Sequence, residues 1–288
     1  MYWSKTEKPM KALAGFAMTG RRQAILAATL LGFLPLVNFL SAPIVALVCL
    51  RHGISEALLV LVWAALPAIG WAVAGDMIPL LTLLGSVALA DVLRRSASWE
   101  LVLVCAIAVG VAAQLALLLQ PGFVELMMQQ IELLMANPEL QGQVSALPAE
   151  QLQPLLRMFY GMMLMFLAIS VLILARYWQA ALYNPGGFRQ EFHRLRLGWK
   201  TSALLCGAFV LTTLGPTALQ SYAILFVLPL LVAGVALVHG IAGLRKLPSA
   251  VMVIFYVALM SPVMTQILML AAIADSWLDF RSRMQPSA

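Results

Sequence analysis

Runs of about 20 consecutive apolar residues recur along this chain, and they constrain its fold more than any other feature. A helix of that length crosses the hydrocarbon core of a bilayer, where every backbone polar group must be bonded within the protein. Of the 288 residues, 62% are hydrophobic and 10% are charged, whereas a soluble domain carries about 25% charged residues. The sequence therefore predicts an all-α, polytopic transmembrane helical bundle embedded in a lipid bilayer.

Nine apolar runs define the predicted membrane segments. They lie at 23–40, 42–50, 55–75, 77–93, 99–120, 155–183, 200–219, 221–243 and 249–274. Because some are short or interrupted by proline, we expect seven to nine segments within a single transmembrane domain over 1–288.

Clusters of arginine and lysine alternate with connections that contain neither. The clusters are at Arg51, Arg94/Arg95, Arg189/Arg194/Arg196/Lys200 and Arg245/Lys246, and the connections free of cations lie near Asp76, near Gln220 and at 121–154. Cytoplasmic loops of membrane proteins are enriched in these cations. The pattern predicts a multi-pass protein of the bacterial inner membrane, with residues 1–22 as a cytoplasmic N-terminal segment.

The first apolar stretch, 23–50, is predicted to fold back on itself. Pro35 and Pro43 interrupt it, and a single pass would place Arg51 outside and invert every later loop. We therefore expect two short helices, or a re-entrant pair, around Asn38–Ser41. Irregular backbone at that depth must be enclosed by protein, so this irregular first hairpin is expected to be buried.

At the other end of the chain the sequence leaves two alternatives open. Segment 249–274 carries Pro262 near its middle. One pass would place the C-terminal polar run outside, and a second hairpin would place it inside; the length of the segment favours one pass.

The largest polar insert, 121–154, is predicted to be periplasmic. Apolar residues at helical spacing indicate an amphipathic helix over 123–136 on the outer leaflet. Asn137-Pro138 is expected to end it, and a loop punctuated by Gly142, Pro148 and Pro154 should follow.

A second amphipathic helix is predicted on the cytoplasmic side, within the segment 184–200. Asn184-Pro185-Gly186-Gly187 should end the preceding helix. Beyond it Phe188, Phe192 and Leu195 share one face, while Arg189, His193, Arg196 and Lys200 share the other. This helix either anchors in lipid or docks a cytoplasmic partner.

Polar groups inside apolar segments are the default functional candidates in a membrane protein. Four are possible ligand contacts or interhelical hydrogen bonds: Asn38, Asp76, Gln114 and His239.

On the predicted cytoplasmic side, Arg176 shares a helix face with Tyr183 and is either an interfacial anchor or the partner of a buried carboxylate such as Asp91. Asp91 also precedes Arg94/Arg95 by one turn, which predicts a local ion pair.

The C-terminal polar run is expected to form an interfacial clamp at the membrane surface. Its members are Asp275, Trp277, Asp279 and Arg281.

No motif for catalysis, metal binding or nucleotide binding occurs. The three cysteines and three histidines lack metal-ligand spacing, and no soluble basic domain exists to bind nucleic acid. We therefore expect a protein that is not an enzyme and carries no cofactor and no metal.

Three stretches resemble a known family: "APIVALVCLRHG" (42–53), "RYWQAALYNPGGFRQEF" (176–192) and "ADSWLDFRSR" (274–283). With the span pattern, they are similar to the YybS-like family of bacterial inner-membrane proteins. The resemblance covers nearly the whole chain and implies an architecture like that of the S components of energy-coupling-factor vitamin transporters and of the MreD cell-shape protein. S components dock on a membrane coupling subunit through small residues, often A-x-x-x-A, and Ala24 and Ala28 have that spacing here.

Two functions follow as expectations. The first is an S-component-like subunit that binds or helps transport a small molecule, in a cavity open to the outer face and roofed by 121–154. The second is a non-transporting MreD-like scaffold whose basic cytoplasmic face docks a cytoplasmic or membrane partner.

Overall fold

The computed structural model describes residues 7–135 and 149–284, and within those ranges the chain forms helices and no strands. The helices are α1 (Glu7–Ala17), α2 (Arg21–Phe33), α3 (Ser41–His52), α4 (Ile54–Val73), α5 (Ile78–Ser96), α6 (Trp99–Leu117), α7 (Pro121–Met135), α8 (Ala149–Tyr183), α9 (Gly187–Arg194), α10 (Trp199–Leu214), α11 (Thr217–Gln220), α12 (Ala223–Leu244), α13 (Ser249–Ala258), α14 (Pro262–Leu278) and α15 (Phe280–Arg283). A 3-10 turn, Asn38–Leu40, joins α2 to α3. The all-α prediction is confirmed.

Fewer helices qualify as membrane spans than the sequence predicted. In the described residues, the stretches long and apolar enough to cross a membrane number four: Ile54–Val73, Trp99–Leu117, Leu152–Tyr183 and Thr217–Leu244. The number would rise to six at most, if each of two bent helix pairs, α9 with α10 and α13 with α14, crossed the membrane as one span. The predicted seven to nine segments are therefore not confirmed, because several of the apolar runs form short or bent helices.

Residues 23–50 form two helices that fold back on each other. Arg21, at the start of α2, forms an ion pair with Glu56, at the start of α4, at 2.7 Å. Since α4 begins two residues after α3 ends, the start of α2 lies beside the end of α3 and the two helices are antiparallel. The loop between them lies at the other end, where Trp71 donates a hydrogen bond to the main-chain oxygen of Gly32.

Only one arm of this hairpin is enclosed as predicted. Every residue from Ser41 to Leu50 in α3 is buried, because α3 packs against α2, α4, α5 and α8 at the centre of the bundle. The turn itself is open, and Leu36 is 91% exposed. Burial of the turn was therefore wrongly predicted.

The C-terminal segment is a hairpin and not the single pass that its length favoured. The chain changes direction by 112° between α13 and α14. At 1.5 Å per residue, the ten residues of α13 extend about 15 Å, half of a bilayer core. The far end of α14 then returns to α9, where Arg281 Nη1 donates a hydrogen bond to the main-chain oxygen of His193 at 2.8 Å.

The insert 121–154 is more helical than predicted. Its first part, expected as a helix over 123–136, is helix α7. Residues 149–154 were expected to be loop, yet they belong to α8, which contains Pro154. Pro154 is the sixth residue of this helix, so its missing N–H removes one backbone hydrogen bond close to the helix start. Asn137, Pro138, Gly142 and Pro148 lie outside the described residues.

Candidate functional site

The cationic clusters of the sequence come together at one end of the bundle, which we call the basic face. A series of contacts joins the helix ends there. Arg94 Nη1 and Gln179 Nε2 both donate to the main-chain oxygen of Leu50, at 2.7 and 3.1 Å. Glu100 accepts a hydrogen bond from the backbone amide of Gly198 at 2.9 Å. The ends of α3, α5 and α8 and the starts of α6 and α10 therefore share this face.

The main feature of the basic face is a cleft of about 560 Å³ between α9, the last turns of α12 and α15. We call it the arginine cleft. Four arginines and one aspartate line it, and glycines of α12 are among its remaining lining residues: Arg189, Arg194, Arg196, Arg281, Asp279, Gly240 and Gly243. Such a lining is strongly cationic.

Two glycines let the cleft form, because they allow α9 and α15 to approach α12 closely. A Cβ on Gly240 would lie 2.9 Å from both Arg281 Cδ and the main-chain oxygen of His193. A Cβ on Gly243 would lie 2.5 Å from Cε1 of His193. Side chains at these positions would therefore push the two cationic elements away from α12.

The basic helix ends earlier than its sequence pattern predicted. The spacing of Arg189, His193, Arg196 and Lys200 predicted one amphipathic helix over 188–200, but α9 ends at Arg194. Leu195 and Leu197 are both buried, at 4% and 1% exposure, and this alternation is typical of extended chain. Arg196 nevertheless lines the same cleft as Arg189.

Arg281 is fixed in the cleft wall by a buried ion pair. Its Nη2 donates to Oδ2 of Asp275 at 2.8 Å, and its Nη1 donates to the main-chain oxygens of His193 and Leu195, each at 2.8 Å. The side chains are 9% and 2% exposed. A buried charge is costly unless it is paired and hydrogen-bonded. The carboxylate of Asp275 and the two main-chain oxygens meet both requirements for Arg281.

A second ion pair orients Arg196, whose Nη1 lies 2.5 Å from Oδ2 of Asp279. Partial burial by itself would raise the pKa of Asp279. The hydrogen bond from the backbone amide of Ser282 and the nearby guanidinium of Arg196 outweigh that effect, so the pKa lies below its ordinary value. Asp279 therefore stays ionised in the cleft wall.

The other two arginines of the cleft, Arg189 and Arg194, are exposed. Among the residues that the structure describes, no carboxylate lies within ion-pair distance of Arg189 or Arg194. Unpaired guanidinium groups beside two oriented ones form a site that favours carboxylate or phosphate oxygens.

The remaining candidates of the basic face have structural partners. Arg176 forms an ion pair with Glu191 of α9 and donates to Gln179 Oε1 at 2.5 Å; it does not reach Asp91. Asp91 instead pairs with Arg95 at 2.7 Å, one turn away as its spacing predicted. Arg51 lies over the ring of Tyr183, with Cζ 4.1 Å from the centroid.

Asn184 belongs to the turn that separates α8 from α9. Its main-chain oxygen accepts from the amide of Gly187 at 2.9 Å, and Gly186 has the left-handed φ of 88°. A Cβ on Gly187 would lie 2.3 Å from the side-chain nitrogen, Nδ2, of Asn184. The Asn-Pro-Gly-Gly sequence therefore ends α8 as predicted, and the chain continues into α9, which lines the arginine cleft.

Three further candidates make local interactions. Gln114 Nε2 donates to the main-chain oxygen of Ser221 at 2.9 Å, which ties α6 to the start of α12. His239 Nε2 lies 2.7 Å from the hydroxyl of Tyr256 in α13. Trp277 is 63% exposed and packs against Trp199, with ring centroids 5.6 Å apart.

At the other end of the bundle, the opposite face, Asn38 and Asp76 line one small chamber. Its volume is about 60 Å³, whereas drug-sized ligands occupy pockets of about 300–1,000 Å³. Of these two cavities, the larger one is on the basic face and not on the face predicted for the ligand.

The small-residue motif faces the interior of the chain. Ala24 and Ala28 are 2% and 0% exposed, because α2 packs on α3 and α4. They are helix-packing residues within this chain, and they offer no free surface to a separate subunit.

Sequence reasoning missed the acceptors that organise the basic face. Glu191 and Glu100 each bind a group that is remote in sequence, so spacing gave no signal for either. The close approach of other elements to Gly240 and Gly243 was equally unpredicted, because glycine is frequent in this chain. Among the described residues, no group of three or more His, Cys, Asp or Glu side chains could hold a metal ion.

No protein-family model, no curated protein and no solved structure matches this chain significantly.

Proposed function

We propose that this chain is an integral membrane protein that acts as a scaffold, docking an acidic segment of a partner protein in the arginine cleft. The observation that carries the proposal is the cleft itself, where Arg189 and Arg194, which form no ion pair with any described residue, lie beside the oriented Arg196 and Arg281. By the distribution of cations, the basic face is cytoplasmic. The proposal corresponds to the MreD-like alternative, and a YybS-like origin is part of it.

Two observations favour docking over vitamin transport. The chamber of the opposite face is about 60 Å³, too small for a vitamin-sized ligand. Ala24 and Ala28 are buried within the chain, so an A-x-x-x-A contact with a coupling subunit has no surface to use.

The volume of the cleft favours a second candidate function, the binding of a small molecule that carries a phosphate group. At about 560 Å³, it lies in the range of small-molecule pockets, and its arginines would bind a phosphate group in bidentate fashion. In this version of the small-molecule hypothesis, the ligand enters from the basic face.

The test is photocrosslinking in native membranes from an unnatural amino acid at Gln190, which lines the cleft. We expect one partner whose crosslinked peptide is rich in Asp and Glu. The double variant Arg189→Glu/Arg194→Glu should abolish the product, because it reverses the unpaired charges without breaking an ion pair. Arg157→Glu is the matched control, since Arg157 is an exposed residue of α8 about 40 Å along the helix from its basic end.

A second measurement separates the two candidates. Purified protein is titrated with a ten-residue oligoglutamate and with inorganic pyrophosphate, each in wild type and in the double variant. Crosslinking that survives charge reversal contradicts the docking proposal, and tight pyrophosphate binding without a crosslinked partner favours the small-molecule candidate.

A further inference from the structure

Oxygen-bearing side chains from four separate segments line the chamber of the opposite face. Asn38 belongs to the 3-10 turn, Ser41 to the first turn of α3, Asp76 to the loop between α4 and α5, and Thr82 to the second turn of α5. The other lining residues are mainly apolar. A carboxylate, an amide and two hydroxyls thus line one small chamber at the break of the first hairpin.

Both hydroxyls are buried and have no partner among the described residues. Ser41 is 5% exposed and Thr82 is 1% exposed, and neither hydroxyl has a hydrogen-bond partner within the described part of the chain. A buried polar group without a partner is costly, and such groups are normally satisfied by protein, by water or by an ion. The pair therefore points to an occupant of the chamber.

The carboxylate is held at the rim of the same chamber. Asp76 Oδ1 accepts a hydrogen bond from the backbone amide of Ile78 at 3.0 Å, which fixes its orientation. In the described residues, Asp76 has no ion pair with any arginine or lysine. Its charge is left to be balanced by something other than a side chain.

We propose that the chamber binds one sodium ion, with oxygen ligands from Asp76, Asn38, Ser41 and Thr82. Carboxylate, carbonyl and hydroxyl oxygens suit hard cations. A single carboxylate balances one positive charge, which favours a monovalent ion over Ca²⁺ or Mg²⁺. The volume of about 60 Å³ admits an ion with a water or two and excludes larger organic cations. Irregular backbone at a broken helix pair is a setting in which membrane proteins coordinate Na⁺.

The experiment measures thermal unfolding of the purified full chain while NaCl replaces choline chloride at constant ionic strength. Because a ligand of the folded state stabilises it according to its concentration, the unfolding midpoint should rise with NaCl and saturate. ²²Na⁺ binding to the same preparation should saturate at one ion per chain.

Variants locate the ion. Asp76→Asn removes the charged ligand and should weaken Na⁺ binding by at least about tenfold, while Thr82→Val and Ser41→Ala should weaken it to a smaller degree. Ser202→Ala is the matched control, because the Ser202 hydroxyl is also buried and unpaired but lies outside the chamber. If Asp76→Asn does not fold, the two hydroxyl variants carry the test.

Equal stability in sodium and choline, or an unchanged response in the chamber variants, would overturn the proposal. The first of these results would mean that only water occupies the chamber. A response lost equally in Ser202→Ala would place the ion elsewhere and overturn it as well.

Discussion

Arg281 and Leu195, which lie 86 residues apart in the sequence, are joined by a hydrogen bond of 2.8 Å from Nη1 to the main-chain oxygen. This bond, with the ion pair to Asp275, fastens the C-terminal hairpin α13–α14 to the loop between α9 and α10. One wall of the arginine cleft therefore exists only because the end of the chain returns to the basic face.

Loss of this fastening should be costly. Arg281→Ala leaves the buried carboxylate of Asp275 unpaired, and removing one partner of a buried pair typically costs about 3–5 kcal/mol. The variant is expected to lower the thermal unfolding midpoint in detergent by several degrees. Arg283→Ala is the control, since Arg283 is exposed; if both variants behave alike, the buried pair does not stabilise the hairpin.

Alanine substitution should change the stability in opposite directions at two glycines, one where α12 packs on α14 and one on an open face of α10. A Cβ on Gly234 would lie 2.7 Å from the main-chain oxygen of Leu268, so Gly234→Ala should destabilise the protein by about 1–3 kcal/mol through overpacking. Gly207 has no atom within 4 Å of its Cβ position, and Gly207→Ala should be neutral or stabilise α10 by up to about 1 kcal/mol. Chemical denaturation of both variants checks this. Destabilisation by Gly207→Ala, or none by Gly234→Ala, would argue against the helix packing described.

An ion pair between Arg176 and Glu191 joins α9 to α8. Both side chains are partly exposed, at 21% and 35%, so we expect a coupling energy of about 1 kcal/mol or less. A double-mutant cycle with Arg176→Gln and Glu191→Gln measures it, and hydrogen exchange of the α9 amides should accelerate in each single variant. Fully additive effects would show that the two residues do not interact.

The Arg196–Asp279 pair predicts a dependence on pH. Because the pKa of Asp279 is lowered from 3.8 in the folded protein, its stabilisation is fully present above pH 3.8 and is lost as the pH falls through the lower folded-state pKa. Asp279→Asn should therefore reduce the unfolding midpoint at pH 7, and this difference from wild type should vanish in strong acid. A difference that persists unchanged in acid would assign the effect to something other than the ionised carboxylate.

Features that depend on residues close together in the sequence were predictable. Pro35, Pro43 and the position of Arg51 were enough to predict that 23–50 folds back, because helix interruption and cation placement are local properties. The one-turn spacing of Asp91 and Arg95 predicted their ion pair for the same reason. The turn at Asn184 followed from its proline and glycines.

Features that depend on contacts between remote residues were not predictable. The periodicity of cations continued through Arg196 and Lys200, yet the burial of Leu195 and Leu197 breaks the helix there. Length alone made 249–274 look like one span, but the chain bends by 112° just before Pro262, and Arg281 joins the returning end to Leu195. The arginine cleft required both the end of α9 and the glycines of α12, which no single stretch of sequence brings together.

The proposed function rests on one claim, that the basic face is a single surface on the cytoplasmic side. The most direct measurement is labelling of single cysteines with an impermeant maleimide in intact cells, after Cys49, Cys105 and Cys206 are replaced by alanine. Cysteines at Arg51, Arg189 and Arg283 should react only after the membrane is permeabilised, while a cysteine at Leu36 should react in intact cells. Labelling of position 51 or 283 from outside would contradict the account.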